Sequence, residues 1–308
     1  MSAPAPAPLT RLPRLQALKG ALAPGERVVA EERAVAFTYS GVTHAVMMAT
    51  PADLEDLAVG FSLSEDIIRD PSEILSFEVF PGDLGIELRL WIADAPMARY
   101  GARRCRLAGP VGCGLCGVES LAEAMRPAPT VTGDLVHSAG EIASAMASLA
   151  DLQWLNQDAR AVHAAAFWGA EPGGASGNRM VALREDVGRH NALDKLAGAL
   201  ARGAVRASAG AVLLTSRVSV EMVQKIARLG APVLVAISAP TALAVRTAEA
   251  CGITLVANAR GESFEAFTHE ARIGSAPHAA SGVSPQPAGP LAEGGMPPER
   301  KTEDAHGR

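Results

Sequence analysis

The sequence predicts a chain of mixed α and β structure in two parts: a small α+β domain over residues 26–100 and an α/β domain over residues 128–272. Three observations predict it. Residues 74–95 alternate apolar and polar (Leu75, Phe77, Val79, then Ile86, Leu88, Leu90), as half-buried antiparallel strands do. Residues 160–272 instead alternate short apolar runs with helical patterns, which argues for a sheet with helices on both faces. Between the two lies Gly109–Ser120, where four glycines surround Cys113 and Cys116, and so much glycine holds neither helix nor strand.

Taken in order, residues 1–25 are rich in Ala and Pro and read as a disordered arm, with at most a short helical turn near Leu12–Leu18. Arg27–Met48 reads as strands joined by tight turns, with Ser40-Gly41 the clearest turn signal. Thr50-Pro51-Ala52-Asp53 has the form of a helix start, with Thr50 as cap, Pro51 in the first helical position and Asp53 completing a capping box. Leu54, Leu57, Ala58 and Phe61 follow at helical spacing, and the helix is expected to stop near Ile68–Asp70. Residues 101–127 form the Gly-rich cysteine loop, with a helical pattern at 118–126. Ser138 caps a second helix that reaches Leu152, with Glu141 three residues on.

In the second domain, Ala161–Phe167 and Met180–Leu183 are strands around a Gly-rich turn at 169–177. Helix His190–Ala201, strand Ala211–Thr215, helix Val218–Leu229, strand Pro232–Ser238, helix Thr241–Ala250 and strand Ile253–Ala257 follow, with Gly230 and Gly252 as helix stops. Residues 273–308 return to Gly, Pro, Ala and Ser and read as a disordered tail.

Composition narrows the function. A formal net charge of −5 argues against a general nucleic-acid binder. The N-terminus lacks the pattern of a signal peptide, and the most apolar stretch, Ala231–Val245, is too short to span a membrane. The expected compartment is therefore the cytoplasm, where thiols stay reduced, and four cysteines in 308 residues are too few for a disulfide scaffold.

Ligands of such sheets bind where strand carboxyl ends meet helix N-termini. Here those loops are Thr215–Ser219, Ser238–Thr241 and Asn258–Gly261, and Arg217 and Arg260 suit them to phosphates. The turn Arg184–Asn191 adds five ionisable side chains in eight positions, and no dinucleotide or NTP fingerprint accompanies these loops. For the thiols, a structural zinc site wants four ligands and would have to recruit Cys105 and His163 to a single pair. A thioredoxin-type dithiol expects a helix N-terminus instead of glycines. Zinc deaminases carry His-x-Glu before their cysteines, whereas here His163 lacks the glutamate and follows them. Sulfur relay needs an accessible thiolate able to swing, which Gly112, Gly114 and Gly117 allow and Arg103, Arg104 and Arg106 favour. Cys251 reads as a small buried residue.

These motifs together resemble the FdhD/NarQ family of sulfurtransferases needed for formate dehydrogenase activity. The matching stretches are Ala49–Glu65, Gly112-Cys-Gly-Leu-Cys-Gly117, Val162–Ala166, Arg184–Lys195, Thr215-Ser-Arg-Val-Ser219, Ala259-Arg-Gly261 and Thr268-His269. The resemblance implies a cytidine-deaminase-like three-layer C-terminal domain and a homodimer. It also implies that Cys113 accepts sulfur from a cysteine desulfurase as a persulfide, with Cys116 beside it. The acceptor it implies is the molybdenum of the bis(molybdopterin guanine dinucleotide) cofactor, destined for formate dehydrogenase. Its cofactor segment falls on Asn258, Ala259, Arg260, Gly261, Glu262 and Ser263, with Arg217 and Ser219 placed to meet the phosphates. No resident metal, nucleic acid or membrane is implied. The chain departs from the family where Ala257-Asn258 replaces a Gly-Phe pair and where Asp66 replaces a glycine. Two other classes stay open beside this one, a cofactor-binding chaperone without catalysis and a zinc-bound structural protein.

Overall fold

A computed structural model describes residues 5–98, 127–170 and 178–274. The cysteine loop with Cys113 and Cys116, the helical pattern at 118–126, most of the turn at 169–177 and the tail after residue 274 lie outside the described residues.

The chain opens on an antiparallel ribbon, β1 (Leu9–Leu18) against β2 (Ala21–Ala30). This corrects the expected disordered arm. Leucines at 9, 12, 15 and 18 suggest a helix, but Pro13 cannot sit inside one, and a lone ribbon has free edges where prolines at 13 and 24 forfeit no ladder bond. Lys19 and Gly20 close it with φ of 48° and 85°, the left-handed pair of a two-residue hairpin turn. Its base is tied down by Thr10 donating to Glu31 at 2.9 Å.

β3 (Arg33–Tyr39) and β4 (Val42–Ala49) turn at Ser40-Gly41, as expected. With β5 (Ile74–Gly82) and β6 (Gly85–Ile92) they form a four-stranded sheet ordered β4-β3-β6-β5. Helix α1 (Leu54–Ser64) covers one face, burying Leu57, Ala58 and Phe61 against Val35, Phe37, Leu88 and Leu90. The start of α1 differs from the capping box read in the sequence. Its N-cap is Asp53, at φ 52° and without a side-chain cap bond, because Thr50 is engaged elsewhere. The helix also stops at Ser64, short of Ile68.

A two-residue strand, β7 (His137–Ser138), leads into α2 (Ala139–Leu152), whose capping box of Ser138 and Glu141 is formed. α3 (Trp154–Ala159) follows, and then a six-stranded sheet built from β8 (His163–Gly169), β9 (Arg179–Asp186), β10 (Gly210–Leu214), β11 (Val233–Ala236), β12 (Thr254–Arg260) and β13 (Ser263–Ala266). The order is β13-β12-β11-β10-β8-β9, with β10, β11 and β12 parallel and β8 antiparallel to both its neighbours. A last short strand, β14 (Ile273–Gly274), pairs with β7.

Alternate residues of these strands point to opposite faces. Ala164, Ala166, Leu213 and Val235 meet α2 through Ile142, Ala145 and Leu149. On the other face Ala165, Phe167, Val212, Leu214 and Leu234 meet α4 (Arg189–Arg202), α5 (Val220–Leu229) and α6 (Ala242–Cys251). The first sheet docks here through α1 on α4. Glycines let the two backbones touch: a Cβ at Gly60 would lie 1.7 Å from the Asp194 carbonyl oxygen, and one at Gly198 1.9 Å from that of Asp56. Around this contact Asp56 accepts from Arg184 and Arg202 at 2.6–2.7 Å. Among the described residues no helix is long and apolar enough to cross a membrane.

Candidate functional site

Because β8 runs against both β9 and β10, the carboxyl ends of β9 to β12 share one edge with the start of β8 at His163. The loops at this edge are joined to one another by backbone bonds. Val218 N–H donates to Ala239 at 3.4 Å, Thr241 N–H to Val218 at 2.9 Å, and Asn258 N–H to Ser238 at 3.4 Å. The segment Asn258–Ser263 forms a bulged hairpin between β12 and β13, with Asn258 and Gly261 at φ 53° and 58°. Asn258 is held by Glu265 at 2.9 Å, while Arg260, Gly261, Glu262 and Ser263 are exposed and Ala259 is buried. Arg217 is exposed at the entry to α5, where Ser219 is the N-cap. The edge therefore unites the cofactor-segment residues and the 215–219 loop in one run of loops. It does not include the thiols, which lie outside the described residues.

The ionisable turn 184–191 is largely spent on architecture. Arg184 pairs with Asp56 at 2.7 Å, and Glu185 accepts the Leu155 and Asn156 N–H groups at 2.9 Å, capping α3. Asp186 accepts from Thr50 N–H at 3.0 Å, Gly188 N–H at 2.8 Å, Asn191 at 3.0 Å and Lys195 at 2.7 Å. Thr50 completes the clasp, accepting from Val187 N–H with its hydroxyl and from Lys195 with its carbonyl. That is why it does not cap α1.

What remains of the turn is Arg189 and His190, and here the sequence reading missed a feature. Eight buried side-chain polar atoms have no partner among the described residues, and four of them cluster at the first turns of α4 and α5: Arg189 Nε, His190 Nε2, Ser219 Oγ and Glu221 Oε2. An unmade buried bond costs roughly 1–3 kcal/mol, so a polar group that reached these four would be favoured. Both helices also start without a side-chain cap, whereas α2 and α6 are capped by Ser138 and Thr241. Two open helix N-termini with Arg189 and Arg217 favour an anion. Burial, then the positive charges of Arg189 and Lys225, lowers the His190 pKa to about 4, so its imidazole is neutral at physiological pH. His163 is likewise lowered, by burial and by Arg189, against the pull of Asp186. The density of charge at 184–191 and the family match over Arg184–Lys195 were the sequence signals for His190; Glu221 carried none, since a glutamate in a first helical turn is ordinary.

No group of three or more His, Cys, Asp or Glu side chains able to hold a metal occurs among the described residues. The arrangement suits a ligand with phosphates for the helix N-termini and arginines, and with hydrogen-bonding edges for His190, Ser219 and Glu221.

Known proteins resemble the chain over most of its length. A protein named sulfur carrier protein FdhD from Agrobacterium fabrum is 53% identical over 265 residues, 85% of this chain and 95% of that protein. One of the same name from Brucella abortus is 51% identical over 248 residues, 80% of this chain and 90% of that protein. A crystal structure from Desulfotalea psychrophila, described as a formate dehydrogenase accessory protein, superposes with a TM-score of 0.67 at 25% identity, covering 86% of this chain and 99% of that one. The FdhD/NarQ family model matches residues 30–274, from the last residue of β2 to the last of β14, and the chain belongs to the FdhD/NarQ family.

Proposed function

We propose that the chain carries sulfur for the maturation of formate dehydrogenase, receiving it on Cys113 from a cysteine desulfurase and passing it to the molybdenum of a bis(molybdopterin guanine dinucleotide) substrate. The observation that carries this reading is the identity of 53% over 265 residues with a protein named as a sulfur carrier. In the loading step the Cys113 thiolate attacks the outer sulfur of the donor's persulfide. One S–S bond breaks, another forms, and the donor leaves as a thiolate, so no external oxidant is needed. The carboxyl edge is the place for the substrate's guanine dinucleotide arms, on Arg217, Ser219 and Asn258–Ser263, with Arg189, His190 and Glu221 as additional partners. Under the same reading the second domain is cytidine-deaminase-like, the chain pairs as a homodimer, and it works in the cytoplasm.

Incubation with a cysteine desulfurase and L-cysteine tests this directly. Intact mass should rise by about 32 Da at Cys113, one added sulfur. Cys113→Ala should take up none and fail to support formate dehydrogenase activity, yet bind guanosine diphosphate as the wild type does. Arg260→Ala should show the reverse, loading Cys113 normally while binding guanosine diphosphate about tenfold more weakly, the order of one lost charge-assisted bond. Formate dehydrogenase activity supported by Cys113→Ala would defeat the relay.

A further inference from the structure

α4 and α5 run away from the carboxyl edge, and at the opposite edge of the sheet the last turn of α5 meets the end of α1 through Arg228 and Ser64. There they enclose a groove of 860 Å³ that belongs to none of the loops described above. Its floor is aliphatic, with Leu63, Ile68, Leu200, Val205 and Leu229, and no aromatic side chain lines it among the described residues. Among the described residues four cations line it (Arg69, Arg206, Lys225 and Arg228) against two acids, Asp66 and Asp70, on a chain whose formal net charge is −5. Some of that charge is committed. Lys225 holds Asp194 at 2.7 Å, Arg228 donates to the Ser64 carbonyl at 2.6 Å, and Asp70 accepts from Ser72. Arg206 is exposed and its side chain has no partner among the described residues, and Arg69 reaches Asp66 only at 4.0 Å across open surface. Locally, therefore, the groove is an apolar floor with an uncommitted basic rim.

A nucleotide is a poor occupant. Among the described residues the groove has no ring to stack a base, and it is lined by the last turns of α1, α4 and α5, whose dipoles oppose a phosphate. Pro127 and Pro129 form part of the wall. Cys116 is eleven residues before Pro127, and a chain of that length spans at most about 40 Å. Cys116 of the thiol pair therefore lies no farther than that span from the wall of the groove. Resting on the sulfur-carrier reading, we infer that this groove docks an acidic, aliphatic segment of the protein that loads sulfur onto Cys113. Leucine or isoleucine side chains fill the floor and carboxylates meet Arg206 and Arg69.

The test compares the rate of sulfur uptake at Cys113 from a cysteine desulfurase with L-cysteine and, separately, from inorganic polysulfide. Wild type, Arg69→Glu/Arg206→Glu and Ser208→Trp are measured, Ser208 being an exposed residue of the groove wall. Both variants should load at least tenfold more slowly from the desulfurase and at the wild-type rate from polysulfide, and wild-type loading by the enzyme should slow as salt screens the rim. Wild-type rates from the desulfurase in both variants would overturn the docking site and leave the sulfur-carrier reading standing. Equal slowing with polysulfide would also overturn it, placing the fault in the thiol loop instead of the groove. A wild-type chain that takes sulfur from neither source defeats the sulfur-carrier reading and the inference with it.

Discussion

Lys195 and Asp186 face each other at 2.7 Å with no exposed side-chain surface on either. A buried charge without its partner is costly, and Asp186 would keep three hydrogen bonds but lose its cation. Lys195→Met should therefore destabilise the chain by about 3–5 kcal/mol, read from the urea midpoint. His190 sets a pH dependence. Its folded pKa is lowered to about 4 from 6.5, so the unfolded chain binds the proton more readily in between. Its contribution is fully present above about pH 6.5 and is lost as pH falls through the window to about 4, amounting to about 3 kcal/mol. Asp194 and Glu185 are shifted up by burial and act in the opposite sense, so the difference between wild type and His190→Gln across pH 4–7 is the measurement that isolates it. A difference independent of pH would show that His190 is not held neutral. Neither effect is visible in the sequence, where Arg-Glu-Asp-Val-Gly-Arg-His-Asn reads as a charged turn and nothing says which charges are spent on packing.

At the scale of elements, the crossing of α1 on α4 depends on two positions without a side chain. A Cβ at Gly198 falls 1.9 Å from a backbone oxygen, which cannot swing aside as a side chain would. Gly198→Ala should cost about 3 kcal/mol or more, at the upper end for overpacking, whereas Gly140→Ala, with nothing within 4 Å, should be neutral or stabilising in thermal unfolding. The strands and helices themselves were largely legible, because apolar spacing, glycine stops and caps such as Ser138 are local. The ribbon of β1 and β2 was not. Its leucines 12, 15, 18 and 22 are between 48% and 68% exposed, so no burial pattern announces a strand, and three-residue spacing imitates a helix. The false capping box at Thr50 failed for a related reason: a hydroxyl that fits a local cap was drawn to a partner 137 residues away.

Across the whole molecule, the first sheet and the second are tied together by α1 on α4, by the clasp of Thr50, Asp186 and Lys195, and by Asp56 between Arg184 and Arg202. Residues 127–274 expressed without the first sheet should unfold at lower temperature than the full chain or aggregate, because apolar and charged surface of α4 is laid open. Independent folding at the full chain's melting temperature would show that the contact is dispensable. The sequence by itself determined the mixed α/β class, the order of most elements from β3 to β12 and the family, since periodicity, caps, glycine stops and motif spacing are written within a few residues of one another. It also singled out Cys113 and the arginine-bearing loops. Only the tertiary structure decided that the 184–191 turn is mostly a clasp, that Arg189, His190, Ser219 and Glu221 each bring to two helix starts a buried polar atom without a partner among the described residues, and that a groove forms at the far edge. Each of these depends on pairings between residues far apart in sequence, and whether a polar group is satisfied or left over emerges only when the chain has closed on itself.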